Sequence, residues 1–265
     1  MATTTERLKC SAGAMVSHSR TVEHVIRYMH LSLCDDAMVD VSLAALCRES
    51  GYSSAHLIGM FEEITGTTPH HFLASLRIQR AKELLLSSDK TVTVIAYDVG
   101  YESFPTFSRT FSQFVGVSPI QFRSMPKIVS KDELLAAAKS YVARNSLAKG
   151  IPVLEGEVIS SEDLNGVIFV GTFTRGVPQG IPNSGTVLFK PGIFRIRRPS
   201  VARYHLMVAH VPLSPSCHLS THFIGVDRVA AVQVELGSPT IPHLMPRPVR
   251  FTDPPLVLSL TSLLR

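Results

Sequence analysis

Long apolar runs are missing from this sequence. No stretch of its 265 residues approaches the roughly 18 uninterrupted apolar positions that a membrane span needs, so no membrane partner is expected. The N-terminal stretch Met1 to Val16 is rich in Thr, Ser and Ala. It has no basic start followed by an apolar core, so no secretory signal is read there. Cysteine is scarce and scattered, at Cys10, Cys34, Cys47 and Cys217, with no CxxC pair and no disulfide framework. Reduced thiols in a cytoplasm fit that usage. A nucleophile elbow, a Gly-rich phosphate loop and a zincin motif are all absent, so no catalytic residue, cofactor or metal is expected. The acid pairs Glu155/Glu157 and Glu162/Asp163 stand in linker-like sequence and do not suggest an active site.

Hydrophobic residues make up 45% of the chain and charged residues 18%, which is a globular composition with ample core material. The formal net charge is +5, but it is unevenly spread. Residues 20–125 hold nine Lys/Arg against eleven Asp/Glu, whereas residues 126–265 hold fifteen against nine. Any nucleic-acid role of the first half must therefore rest on geometry and not on bulk charge.

Residues 20–34 read as a helix, because Val22, Val25, Ile26, Met29 and Leu33 recur at three- and four-residue steps. From Val41 to Arg123 the chain reads as helices broken by short glycine or proline turns. Lys131 to Leu147 is one more amphipathic helix, and Asn145 to Pro152 a linker. After Pro152 the helical period disappears, and thirteen of the seventeen prolines lie from there onward. Short β-prone runs follow: Val167–Thr174, Thr186–Phe189, Phe194–Ile196, Arg203–Val211, Ala230–Leu236 and Leu256–Leu264. Turn-rich spacing of this kind predicts a sandwich or barrel.

Two stretches about fifty residues apart repeat one pattern. Gly51-Tyr52 is followed by Phe61, Gly66 and Pro69; Gly100-Tyr101 is followed by Phe111, Gly116 and Pro119. In each, a short helix turns its apolar face inward: Leu43, Leu46 and Cys47 in the first, Ile95, Ala96 and Val99 in the second. Glycine then takes a left-handed turn that a Cβ resists. Ser53, or Glu102 with Ser103, caps the next helix. Leu57, Met60 and Phe61 pin that helix to the core, as do Phe107 and Phe111, and its other face stays free. A plain helical bundle with fortuitous turns would not require two copies in register.

The marks Gly51-Tyr-Ser53, Leu57-x3-Phe61-x4-Gly66-Thr-x-Pro69 and Leu76-Arg77-Ile78-x-Arg80-Ala81 resemble the DNA-binding domain of the AraC/XylS family of bacterial transcription regulators. So do Val99-Gly100-Tyr101, Phe107-Ser-Arg109-x-Phe111 and Gly116-Val-Ser-Pro119-x3-Arg123. The match covers about 85 residues and none of the C-terminal half. The family usually carries this module behind a sensing domain; here it comes first, an order found in some relatives whose trailing domain senses an effector. The resemblance implies two recognition helices in successive major-groove segments of double-stranded DNA. It places Ser54, Ala55, Ile58 and Gly59 toward DNA in the first unit, with His56 on the side that packs or brushes phosphate. In the second unit it places Phe104, Pro105, Thr106, Ser108 and Arg109 there. Ala55, Ile58 and Gly59 can offer only methyl contacts or close backbone approach, whereas Arg109 can fork to guanine or clamp a phosphate. Ser108 and Thr106 can bond phosphate. Arg77 and Arg80 on the linking helix can contact phosphate or pair internally with Glu83 or Asp98, and the structural role is the one expected.

The expected architecture is thus α + β and multidomain: an all-α double helix-turn-helix domain, then a mainly β domain. Its boundaries are a flexible tail 1–19, the DNA-binding domain 20–125, a helix and linker 126–152, and a β-rich domain 153–265 for effector binding or oligomerisation. In the latter, histidines gather at His205, His210, His218 and His222 beside Cys217. Pro212 and Pro215 interrupt them, and His205 and His210 would face opposite sides of one strand, so ordinary histidines are expected and not a metal site. Lys190, Arg195, Arg197, Arg198 and Arg203 read as a solvated cationic face. The function expected is sequence-specific transcription regulation in a bacterial cytoplasm. The expected partners are double-stranded DNA, a small-molecule effector, RNA polymerase and a second copy of the chain. The alternative is a DNA-directed enzyme or repair protein. Against it, Cys217-His218 lacks the flanking proline and arginine of the alkyl-repair nucleophile motif.

Overall fold

The computed structural model of the chain describes residues 4–34, 40–125, 128–129, 131–145, 147, 151–201, 203–213, 219–220, 228–235 and 242–257. The first part is helical: α1 (Thr4–Cys34), α2 (Leu43–Ser50), α3 (Ser54–Thr65), α4 (Pro69–Ser87), α5 (Val92–Asp98), α6 (Phe104–Val115) and α7 (Pro119–Ser124). Helix α1 runs through most of the segment expected as a flexible tail; its early turns hold Glu6, Arg7, Leu8, Lys9 and Ala12, good helix formers without a proline.

The helices pack around two cores. Val22, Val25, Ile26 and Met29 of α1 meet Leu46, Leu57, Phe61 and the first half of α4 (Phe72, Leu73, Leu76). The second half of α4 (Ile78, Ala81, Leu85) meets Ile95, Ala96, Val99, Phe107, Phe111 and Phe122. Helix α4 therefore belongs to both units and joins them as a single strut. Leu43, expected to face inward, is 41% exposed, because burial in α2 falls on Ala45 and Leu46 instead.

The second part contains β1 (Ile128–Val129), α8 (Lys131–Arg144), β2 (Val153–Val158), β3 (Gly166–Phe173), β4 (Ser184–Leu188), β5 (Gly192–Arg197), β6 (Arg203–Pro212), β7 (Leu219–Ser220), β8 (Arg228–Glu235), β9 (His243–Leu244) and β10 (Arg247–Pro248). One sheet has the order β10-β8-β6-β3-β4, all antiparallel; a smaller one has the order β5-β2-β9, with β2 and β9 parallel. The two sheets share a core of Leu154, Val158, Ile168, Val170, Phe194, Ile196, Tyr204, Leu206 and Val208. The opposite face of β3 and its neighbours packs on α8, through Leu134, Ala138, Val167, Val187 and Val211. Covered on both faces, β3 reads as a continuous apolar run and not as an alternation.

Helix α8, expected as a helix in the connecting segment 126–152, packs on the larger sheet of the β half. One expectation changes here. Glu155 and Glu157 lie on the wet face of β2, where Glu155 pairs with Arg195 at 2.6 Å and Glu157 with His243 at 3.3 Å. Alternate positions Leu154, Gly156 and Val158 are buried, and Gly156 stands where a Cβ would strike the Phe194 ring. The alternation predicted for Phe194 to Arg197 is present in β5. Of Leu256–Leu264, residues 258–264 lie outside the described residues, and no strand is found at 256–257.

The two parts are in contact. Val177 and Val257, both from the β half, are fully buried in the core of α4 to α7. Lys82 Nζ donates to the carbonyl of Val257 at 3.2 Å, and the Gly180 amide donates to the carbonyl of Phe114 at 2.8 Å. Farther along, Arg27 of α1 stands 4.9 Å over the Phe251 ring.

Candidate nucleic-acid interface

The repeat seen in the sequence is a repeat of geometry. Helices α3 and α6 are both twelve residues long and both end on a left-handed glycine, Gly66 and Gly116. Each is preceded by a short helix and a turn through a second left-handed glycine, Gly51 at φ +73 and Gly100 at φ +83. Inward, α3 presents Leu57, Met60 and Phe61, and α6 presents Phe107, Phe111, Phe114 and Val115, all buried.

The outward faces are open. In α3, Ser54, Ala55, His56 and Gly59 are exposed and Ile58 is partly so; at Gly59 an added Cβ would meet nothing within 4 Å. In α6, Pro105, Thr106 and Arg109 are exposed and Ser108 is half-buried. Arg109 makes no ion pair among the described residues, so its guanidinium is available. One residue stands differently from the expectation, and His56 packs as expected. Phe104 is partly buried against the second core, which withdraws it from the open face. The His56 ring stacks on Tyr52 at 4.8 Å and meets His18 edge-on at 5.4 Å, which puts it on the packing side of α3.

Helix capping separates these two helices from α2, α4, α5 and α7. Ser42, Thr68, Thr91 and Ser118 each accept a backbone amide at the start of α2, α4, α5 and α7. Ser53 and Ser103 occupy the same position before α3 and α6 but make no such bond. The Ser103 hydroxyl donates instead to Thr106 Oγ1 at 2.8 Å. The first amides of α3 and α6 thus keep their unsatisfied donors and the positive end of the helix dipole, the arrangement that receives an anion such as a phosphate.

The arginines of α4 have structural roles. Arg80 pairs with Glu83 at 3.0 Å. Arg77 lies 5.7 Å from the Tyr101 ring centre and against Gly100; burial pulls its pKa down. Asp98 is taken by Lys90 at 2.6 Å.

A family model described as a helix-turn-helix domain matches residues 46–125, the span that holds both open faces. The match is to a helix-turn-helix domain of the AraC type. The chain is 35% identical over 112 residues to an uncharacterised HTH-type transcriptional regulator of Staphylococcus aureus (strain COL), covering 42% of this chain and 14% of that protein. It is 27% identical over 99 residues to one of Bacillus subtilis (strain 168), covering 37% of this chain and 39% of that protein. It thus spans well under half the length of these relatives. Among solved structures, the C-terminal domain of AraT, a response regulator from Geobacillus stearothermophilus, is 29% identical with a TM-score of 0.37, covering 42% of this chain and 88% of that one.

Outside the helix-turn-helix domain, no group of three or more His, Cys, Asp or Glu among the described residues could hold a metal ion. His205 and His210 lie five residues apart on β6, with His210 buried; Cys217, His218 and His222 lie outside the described residues. No described helix is long and apolar enough to cross a membrane.

Proposed function

We propose that the chain is a sequence-specific transcription regulator that binds double-stranded DNA through two helix-turn-helix units, with α3 and α6 as the recognition helices. The observation that carries this reading is the pair of uncapped, outward-facing helices held by one strut. A helix of nineteen residues such as α4 is about 28 Å long, comparable with the roughly 34 Å repeat of the DNA groove. Arg109, Thr106, Pro105 and Ser108 are the residues of α6 that reach DNA. Ser54, Ala55, Ile58 and Gly59 serve α3 by apolar contact and close approach, and His56 contributes at most to phosphate. The two-sheet C-terminal half, built as a small sandwich with α8 on its outer face, senses an effector or mediates self-association. RNA polymerase is the partner that the regulatory role requires at a promoter.

The test is selection of a duplex from a random library with the full chain, followed by titration of wild type and Arg109→Ala at fixed salt. Loss of about 1–3 kcal/mol of binding free energy, confined to sequences bearing the preferred base, is the expected result. Failure to enrich any duplex would refute the reading, and unchanged affinity in the variant would remove Arg109 from it.

A further inference from the structure

The outer face of the larger sheet is only partly covered by α8. Leu134 and Ala138 cover Val167, Val187 and Val211, and beyond them the face sinks into a cavity of about 50 Å³ that opens to solvent on one side. Its floor is Phe169 and Phe173 of β3 with Met207 and Ala209 of β6. The recess owes its depth to paired glycines: Gly171 and Gly185 face each other across β3 and β4 and supply no side chain. Its walls are Tyr141 of α8, Pro178 and Pro182 of the loop 174–183, and Leu256. Among the described residues no charged side chain lines it, and the side-chain polar group on this face is the Tyr141 hydroxyl, since Thr186 pairs with Val170 and turns its side chain to the other face.

Two walls lead into the helix-turn-helix domain. Pro178 faces the cavity, while its neighbour Val177 is buried in the core of α4 to α7. Leu256 faces the cavity, while its neighbour Val257 is buried in that same core. In each pair one side chain is in the cavity wall and the next, one peptide bond away, is in the helical core. The loop is bedded further at three points. The Gly180 amide donates to Phe114 at the end of α6, and Arg175 Nη1 lies 3.4 Å from His71 Nδ1 at the start of α4. Gly176 passes so close to the carbonyl of Gly66, after α3, that a Cβ there would overlap it. One loop thus touches the trailing ends of both recognition helices and the start of the strut between them.

We propose that this cavity binds a small, uncharged, largely apolar molecule about the size of a single ring, and that Val177/Pro178 and Leu256/Val257 pass its occupancy to α3, α4 and α6. The cavity itself has room for roughly three or four water-sized groups, so a single ring would be seated in part and extend into the open mouth. The chemistry follows from the lining: a charge would lose its hydration there and find no opposite charge, while one hydroxyl or carbonyl could be met by Tyr141. Only the consequence for DNA rests on the proposed regulatory function; binding and its transmission do not.

Toluene is the probe, benzoate its charged counterpart, and the full chain the sample. Saturation-transfer NMR is expected to show toluene bound to wild type and benzoate not. Ala209→Leu, which fills the floor, and Gly171→Ala, whose added methyl would stand between Phe173 and Pro182, are each expected to weaken toluene at least tenfold. Hydrogen exchange at Gly66 to Phe72 and Phe111 to Gly116 is expected to slow at least twofold with toluene. That slowing should vanish in Val177→Ala and Val257→Ala, which still bind it. No toluene binding, or binding untouched by both filling variants, overturns the site. Binding without altered exchange in wild type overturns the transmission. A selected duplex is then titrated with and without toluene: a change of threefold or more is expected in wild type, and an unchanged affinity overturns the regulatory consequence. If no duplex is selected at all while toluene binds and slows exchange, it is the DNA reading that fails and the site that stands.

Discussion

Lys82 is the residue whose position least resembles its type. It is fully buried in α4, donates to the carbonyl of Val257, and stands 5.7 Å from the centre of the Phe122 ring. Burial lowers its pKa from 10.5 to about 7, against a small opposing pull from Glu83. Between these two values the unfolded chain holds a proton that the folded chain has released, so this group makes stability rise with pH across that window. The contribution is expected to be about 1–3 kcal/mol between pH 7 and 9.5, and Lys82→Met is expected to flatten the rise by that amount. Urea denaturation of both proteins at the two pH values measures it; parallel slopes would mean that the ammonium reaches water. Nothing in the local sequence marks this lysine as buried, since the carbonyl that receives it lies 175 residues away.

At the scale of elements, the helix-turn-helix domain is the most legible part of the chain, because its determinants are local. A left-handed glycine, a proline in the first turn and apolar residues at helical spacing all act within a dozen residues. Gly100 is the strictest of these positions. Its φ of +83 suits glycine, and an added Cβ would stand 3.1 Å from the Arg77 guanidinium. Gly100→Val is expected to destabilise the chain by about 1 kcal/mol or more and to tilt α6. An unchanged melting temperature of the full chain would contradict the turn. Elements of the β half were harder to read. Acidic residues at 155 and 157 disguised β2 as a linker, because its outer positions bind Arg195 and His243 across the strands. Phe104 was ambiguous for a related reason: its spacing allows either face of α6, and it is partly buried against the Phe-rich second core.

At the scale of the molecule, the two parts are less separable than the composition change near Pro152 suggests. Val177 and Val257 complete the core of α4 to α7 from the other side of that change. Cutting near residue 148 removes both, so a fragment 1–148 is expected to melt below the full chain. In the full chain, Val177→Ala and Val257→Ala are each expected to cost about 1–3 kcal/mol, read by calorimetry. Melting of the helical part unaltered by either change would mean that the core closes without them. The junction also carries a titration. His71 lies against the Phe114 ring with Arg175 and His70 nearby, and its pKa is lowered from 6.5 to about 4, by burial first and by these cations second. The unfolded chain takes up this proton before the folded one does, so docking of the loop should weaken as pH falls through that window. Amide exchange at Gly180, compared between wild type and His71→Gln at pH 7 and pH 5, reports it: the wild type is expected to lose protection at pH 5 and the variant to lose less.

Taken alone, the sequence determined the fifty-residue repeat, the glycine turns, the inward faces of α3 and α6 and the change from helix to strand, all of which follow from backbone preferences and periodicity over short spans. It also determined the open faces in outline, since a face with no apolar stripe has nothing to bury. The tertiary structure alone decided that α8 belongs to the sheets, that β3 is covered on both sides, that Lys82 is sealed from water, and that adjacent residues at 177/178 and 256/257 divide between a helical core and a cavity. Burial of this kind depends on which distant segment arrives opposite a side chain, and no local pattern of residues carries that information.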